Sequence, residues 1–169
     1  MFLGPSLIYL FKKMSVCFTG NASGLLNIQC KHGNISEEYN IFDCLFYDQA
    51  VTGTTASWYL GSGMQKSSES DGTTLASSTT ANAFPNSTQQ SVNRFLDYVG
   101  RWCIEFDVVN YAGTVRVRFS DSPSTYCDWE FSNNGVANGS HVRLCFDNNN
   151  LTATVGDTTL STININKNQ

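Results

Sequence analysis

Four stretches in the second half of this chain alternate apolar and polar residues with a period of two. Over 102–109, Trp102, Ile104, Phe106 and Val108 fall on one side, and Cys103, Glu105 and Asp107 on the other. Over 114–120, Val115, Val117 and Phe119 alternate with Arg116 and Arg118. Over 141–146, Val142, Leu144 and Phe146 alternate with His141, Arg143 and Cys145; Leu151, Ala153 and Val155 repeat the pattern around Thr152 and Thr154. Successive side chains of a strand point to opposite faces, whereas a helix would scatter such a pattern around its axis. Each stretch is therefore a strand with one face to cover, and no segment from residue 40 onward carries a helical period. Half-apolar strands bury those faces by packing sheet on sheet. The expected class is all-β, an antiparallel β-sandwich of jelly-roll type.

Turn residues suggest the pairing. Asn110-Tyr111-Ala112-Gly113 is turn-like and lies between the first two strands. An even loop count keeps opposed residues on one face, which sets Val108 against Val115 and Phe106 against Val117. The polar face then becomes a ladder with Asp107 opposite Arg116 and Glu105 opposite Arg118, each pair worth roughly 0.2–1 kcal/mol. Asn148-Asn149 predicts a second hairpin, Gly156-Asp157 a third turn leading into 158–165, and YCDWEFS at 126–132 a further strand. Earlier strands are expected at 15–19, 25–31, 41–48, 57–60 and 73–77. The Ser/Thr/Gly-rich run 51–91 forms polar connections of the kind that often carry binding loops.

At 169 residues the chain fits one domain with a short appended arm. Residues 1–40 are expected to be an N-terminal arm or extra strands, and 41–169 the sandwich. Leu3, Leu7, Leu10 and Phe11 could form a stripe that docks on a partner, or belong to a strand. The apolar run is too short to span a bilayer, precedes its lysines and lacks a cleavage site, so neither membrane insertion nor a cleaved signal peptide is expected; Met14 is an alternative start. Charged residues are 14% of the chain and the net charge is −4, which leaves no basic footprint for nucleic acid. Solubility rests on Ser, Thr and Asn, and the 12% aromatic content excludes disorder. The six cysteines include no C-x-x-C, giving zinc no support; free, half-buried thiols are expected, although a disulfide framework stays open.

Glu105-Phe106-Asp107-Val108-Val109-Asn110 resembles the E-x-D-x-x-E strand motif of laminarinase- and lichenase-type retaining glycosidases, which are concanavalin-like jelly rolls. The resemblance implies a nucleophile at Glu105 and a tuning residue at Asp107. The third acid of that bulged strand falls at Asn110, which cannot deliver a proton. Retaining hydrolysis needs two carboxyl groups about 5–5.5 Å apart, one of them protonated. No catalytic residue is therefore assigned. Glu105, Asp107, Arg116 and Arg118 read either as solvated ion pairs or as a polar face that grips sugar hydroxyls bidentately. Rings in polar segments (Trp58, Tyr59, Tyr111, Tyr126 and Trp129) could stack on sugar C–H faces, and Trp58, Tyr126 and Trp129 complete the candidate ligand set; Trp102 is assigned to the core. His141 has no evident partner and His32 sits in a turn. Calcium at Asp43 and Asp48, or at Asp147 and Asp157, lacks ligand density, so no metal or cofactor is assigned. Five N-x-S/T sequons, at Asn21, Asn34, Asn86, Asn138 and Asn150, would matter only on a secretory route.

From NRFLDYVGRWCIEFDVV to VRLCFDNNNLTATVGDTTL the chain resembles the non-catalytic concanavalin-like sandwiches of virion appendages and surface adhesins. The resemblance implies a lectin-like tail, fibre or baseplate component that attaches to a host surface glycan and assembles with copies of itself or other subunits. A location on the virion or an extracellular surface follows, reached without a cleavable signal peptide. The alternatives are an assembly protein without ligand and a weak or decayed glycosidase.

Overall fold

The structure is a computed structural model that describes residues 14–34, 59–60, 63–78, 83–84, 92–96, 101–122, 125–147, 150–160 and 163–164. Its strands are β1 (Met14–Gly20), β2 (Leu25–Lys31), β3 (Tyr59–Leu60), β4 (Met64–Glu69), β5 (Gly72–Ser77), β6 (Val92–Leu96), β7 (Arg101–Ala112) and β8 (Val115–Ser122), followed by β9 (Thr125–Glu130), β10 (His141–Asp147), β11 (Asn150–Val155), β12 (Thr158–Thr159) and β13 (Ile163–Asn164). The helical pieces among the described residues are two 3-10 turns, His32–Asn34 and Ser132–Asn134. One sheet runs β3-β6-β1-β8-β9; the second runs β12-β11-β10-β7-β2-β5-β4, with β13 also on β11. Every pairing among the described residues is antiparallel. The all-β antiparallel sandwich expected from the alternation is what forms.

The apolar stripes of the two sheets face each other. Phe18 of β1 meets Phe106 of β7 edge-on, with ring centroids 5.5 Å apart, and Phe106 stacks on Phe131 just beyond β9. Ile28, Leu75, Ile104, Val115, Val117, Phe119, Val142 and Leu144 are also buried in this core. Each fully buried side chain of this size contributes about 1.5–3 kcal/mol. Residues 14–31, placed by the sequence in an arm or extra strands, supply an interior strand to each sheet: β1 lies between β6 and β8, and β2 between β7 and β5.

One expected hairpin does not form. β7 pairs with β10 and β2, while β8 pairs with β1 and β9 in the opposite sheet. Pairing β7 with β8 would lay two apolar stripes side by side on one sheet; separating them lets each cover the other across the core. The strand continues through Asn110, Tyr111 and Ala112, and the chain crosses between sheets at Gly113 and Thr114. Gly113 has φ +74°, and a Cβ there would lie 2.8 Å from Asn21 Oδ1, which already accepts the Thr114 N–H. A second crossing needs small residues as well: the Phe84 ring packs onto Gly20 and Gly24, leaving no room for a Cβ at either.

Other elements follow the pattern more closely. The β10–β11 register sets Val142 opposite Val155, Leu144 opposite Ala153 and Phe146 opposite Leu151, as the alternation requires. Gly156-Asp157 turns into β12 as expected, but the segment expected as one strand over 158–165 is described as two short ones, Thr158–Thr159 and Ile163–Asn164. Two strands carry no clear signal: β4 (MQKSSE) with only Met64 described as buried, and β6 (VNRFL). The strand expected at 41–48 lies outside the described residues.

Candidate functional site

The polar face of the second sheet is organised around His141. Across the β7–β10 ladder His141 stands opposite Asp107, and Arg143 opposite Glu105. The imidazole reaches both acids, with Nδ1 at 2.6 Å from Asp107 Oδ1 and Nε2 at 2.7 Å from Glu105 Oε1. Glu105 is only 1% exposed, and the imidazole is one cationic partner to it on this face. For both ring nitrogens to donate, the ring must be an imidazolium. The hydrogen bond to Glu105 pushes the His141 pKa up to about 9, reinforced by Asp107 and opposed by burial. Asn34 Nδ2 donates to the other oxygen of Asp107 at 3.0 Å, fastening the first 3-10 turn to the same cluster.

A bulge shapes the far end of β7. Ile28 pairs with Val108, but the preceding residue of β2, Asn27, pairs with Asn110, leaving Val109 extra and exposed. The extra residue resets the alternation. Tyr111 consequently turns inward, packing edge-on against Phe131 and donating its hydroxyl to Val136 O at 2.7 Å. Asn110 returns to the face that holds Glu105 and Asp107, where its Oδ1 accepts from Asn27 Nδ2. Glu105, Asp107 and Asn110 thus share one face of the strand, with an amide at the third position and Glu105 buried against an imidazolium.

Beside the cluster, Cys103 and Cys145 stand directly opposite each other and form a disulfide, with Cα atoms 4.1 Å apart. The free thiols expected there are a bonded pair. The error has a plain cause: 42 residues separate them in sequence, and only the β7–β10 register brings them together. Cys17 and Cys127 are thiols. Cys17 is buried among its neighbours, which pushes its pKa up to about 12 and leaves it a poor nucleophile.

A second set of charges lies on the opposite outer face, that of the five-stranded sheet. Arg118 grips Asp128 bidentately, Nε to Oδ1 at 2.7 Å and Nη2 to Oδ2 at 2.9 Å. Arg116 Nε donates to Glu130 at 3.1 Å. Tyr126, 52% exposed, presents its ring to Arg118, whose guanidinium carbon is 3.9 Å from the ring centroid. The Asp128 pair holds the Arg118 pKa above its usual value.

The candidate ligand set is therefore split. Glu105 and Asp107 occupy one outer face; Arg116, Arg118 and Tyr126 occupy the other, and the expected Asp107–Arg116 and Glu105–Arg118 ladder is replaced by Arg116–Glu130 and Arg118–Asp128. Trp129 points into the core at 1% exposure against Phe131, its Nε1 without a partner among the described residues, so it offers no open ring face. Tyr111 is likewise turned inward. Trp58, Asp43 and Asp48 lie outside the described residues. Sequence reasoning missed His141, Asp128 and Glu130. Asp128 and Glu130 had a usable signal, since DWEF alternates acids with apolar residues; His141 had none, because its partners come from a strand distant in sequence. Among the described residues there is no group of three or more side chains arranged to hold a metal ion, and no helix long and apolar enough to cross a membrane. No family model, curated protein or solved structure matches the chain.

Proposed function

We propose that this chain is a non-enzymatic binding or structural module of an exterior surface, a virion appendage component that holds a host-surface glycan on the outer face of its five-stranded sheet. The observation that carries this reading is the Tyr126–Arg118–Asp128 stack. A half-exposed ring is fixed against a guanidinium that a carboxylate locks in place. Such a ring meets a sugar C–H face with little ordering cost, and neighbouring charged groups accept and donate to hydroxyls. Jelly-roll connectivity and kinship with concanavalin-like sandwiches belong to the same proposal. The acids of β7 support a holding role over turnover: Glu105 is buried and hydrogen-bonded to His141.

A glycan array with the wild-type chain and Tyr126→Ala tests the reading. Binding that falls at least about tenfold in the variant, the loss expected for about 1.4 kcal/mol of stacking, supports it. No signal for the wild type leaves the assembly protein without ligand. β-Glucan hydrolysis that depends on Glu105, shown by its loss in Glu105→Gln, would restore the glycosidase.

A further inference from the structure

The turn that enters β10 holds an Asn-Gly-Ser sequon, and its amide nitrogen is unspent. Residues 137–140 close on themselves, Ser140 N–H donating to Ala137 O at 3.0 Å, with Gly139 at φ +87° and its N–H donating to Val108 O at 2.7 Å. Asn138 is exposed, and its Oδ1 accepts the Tyr111 N–H at 3.1 Å. Its Nδ2 has no hydrogen-bond partner among the described residues. The other sequons differ. Asn34 spends its Nδ2 on Asp107; Asn21 is half-buried beneath Gly113; Asn150 begins an interior strand flanked by β10 and β13; Asn86 lies outside the described residues.

A second observation points to the compartment in which such a nitrogen is used. The Cys103–Cys145 disulfide persists in oxidising surroundings, those of secreted and surface proteins. We infer that the chain passes through a secretory compartment and carries an N-linked oligosaccharide on Asn138. In that transfer Nδ2 attacks the anomeric carbon of a polyisoprenyl-pyrophosphate-linked oligosaccharide. The N–C bond forms, the C–O bond to pyrophosphate breaks, the polyisoprenyl pyrophosphate leaves with the bonding pair, and the amide proton passes to a base of the transferase. The geometry accommodates the product: a glycan on Nδ2 leaves the Oδ1 bond to Tyr111 in place and extends from an exposed turn. This inference does not depend on the chain binding a glycan itself.

The test is glycopeptide mass mapping of the full chain recovered from the medium of eukaryotic secretory cells. The expected result is an oligosaccharide on Asn138 in most molecules, absent in both Asn138→Gln and Ser140→Ala and retained in Asn34→Gln. Wild-type chain that stays in the cytosol, or that is secreted with Asn138 unmodified, overturns the inference, as does occupancy confined to the other sequons.

Discussion

With both ring nitrogens of His141 hydrogen-bonded to carboxylates, the second sheet depends on a proton. The folded pKa of about 9 lies above the ordinary value of 6.5. Stability from this group is therefore fully present below about pH 6.5 and is lost as pH rises through about 9. The ring is about a third exposed, so solvent screening reduces the effect to about 1–2 kcal/mol. Urea unfolding at pH 6 and pH 9.5 checks it: the wild type should lose that much stability, and His141→Ala should show a flatter profile. At neutral pH the same variant takes one hydrogen-bonded cationic partner from the buried Glu105 and is expected to cost about 3 kcal/mol. A loss under 1 kcal/mol would mean that another group neutralises Glu105.

At the scale of elements, two strands are joined more tightly than their backbone ladder requires. The disulfide and the His141 cluster both tie β7 to β10, within a few residues of each other. Replacing Cys103 and Cys145 by serine should lower stability by about 3–4 kcal/mol, from the entropy of the 42-residue separation they close. Thermal unfolding with and without reductant gives the same comparison in the unmutated chain. The crossing from β7 to β8 makes a different demand. Gly113→Ala forces a side chain into a positive-φ site and against Asn21 Oδ1, a cost of about 1–2 kcal/mol. An unchanged midpoint would show that the crossing can be rebuilt. The β10–β11 hairpin was legible because its partners are sequence neighbours and its turn residues lie between them. The β7–β8 pairing was misread because parity excludes half of all registers but does not choose among strands of the same parity.

For the whole molecule, the position of β1 and β2 decides what a truncation can reveal. Removing residues 1–40 deletes one interior strand from each sheet and should abolish folding, seen as loss of the cooperative thermal transition. Removing 1–13 spares both strands. If that segment docks on neighbouring subunits, light scattering should show a smaller particle with an unchanged midpoint; an unchanged particle would sink the docking idea. The sandwich also separates the two outer faces, so Tyr126→Ala and His141→Ala should be additive in stability.

Alternation with a period of two was enough to determine the class of this protein, because a strand's two faces are read directly from residue order. The same local order determined the β10–β11 hairpin and placed Phe106, Val117 and Leu144 in the core. Which acid meets which cation was decided only by the tertiary structure. Glu105 and Asp107 are joined to His141, and Arg116 and Arg118 to Glu130 and Asp128, by the choice of neighbouring strands. That choice depends on covering two apolar faces at once, a property of the assembled sheets and not of any strand alone. The β7 bulge is a decision of the same kind: one extra residue at Val109 turns Tyr111 inward and puts Asn110 on the face of Asp107, hydrogen-bonded to Asn27. The disulfide follows from that pairing, since Cys103 and Cys145 become neighbours only when β7 and β10 do.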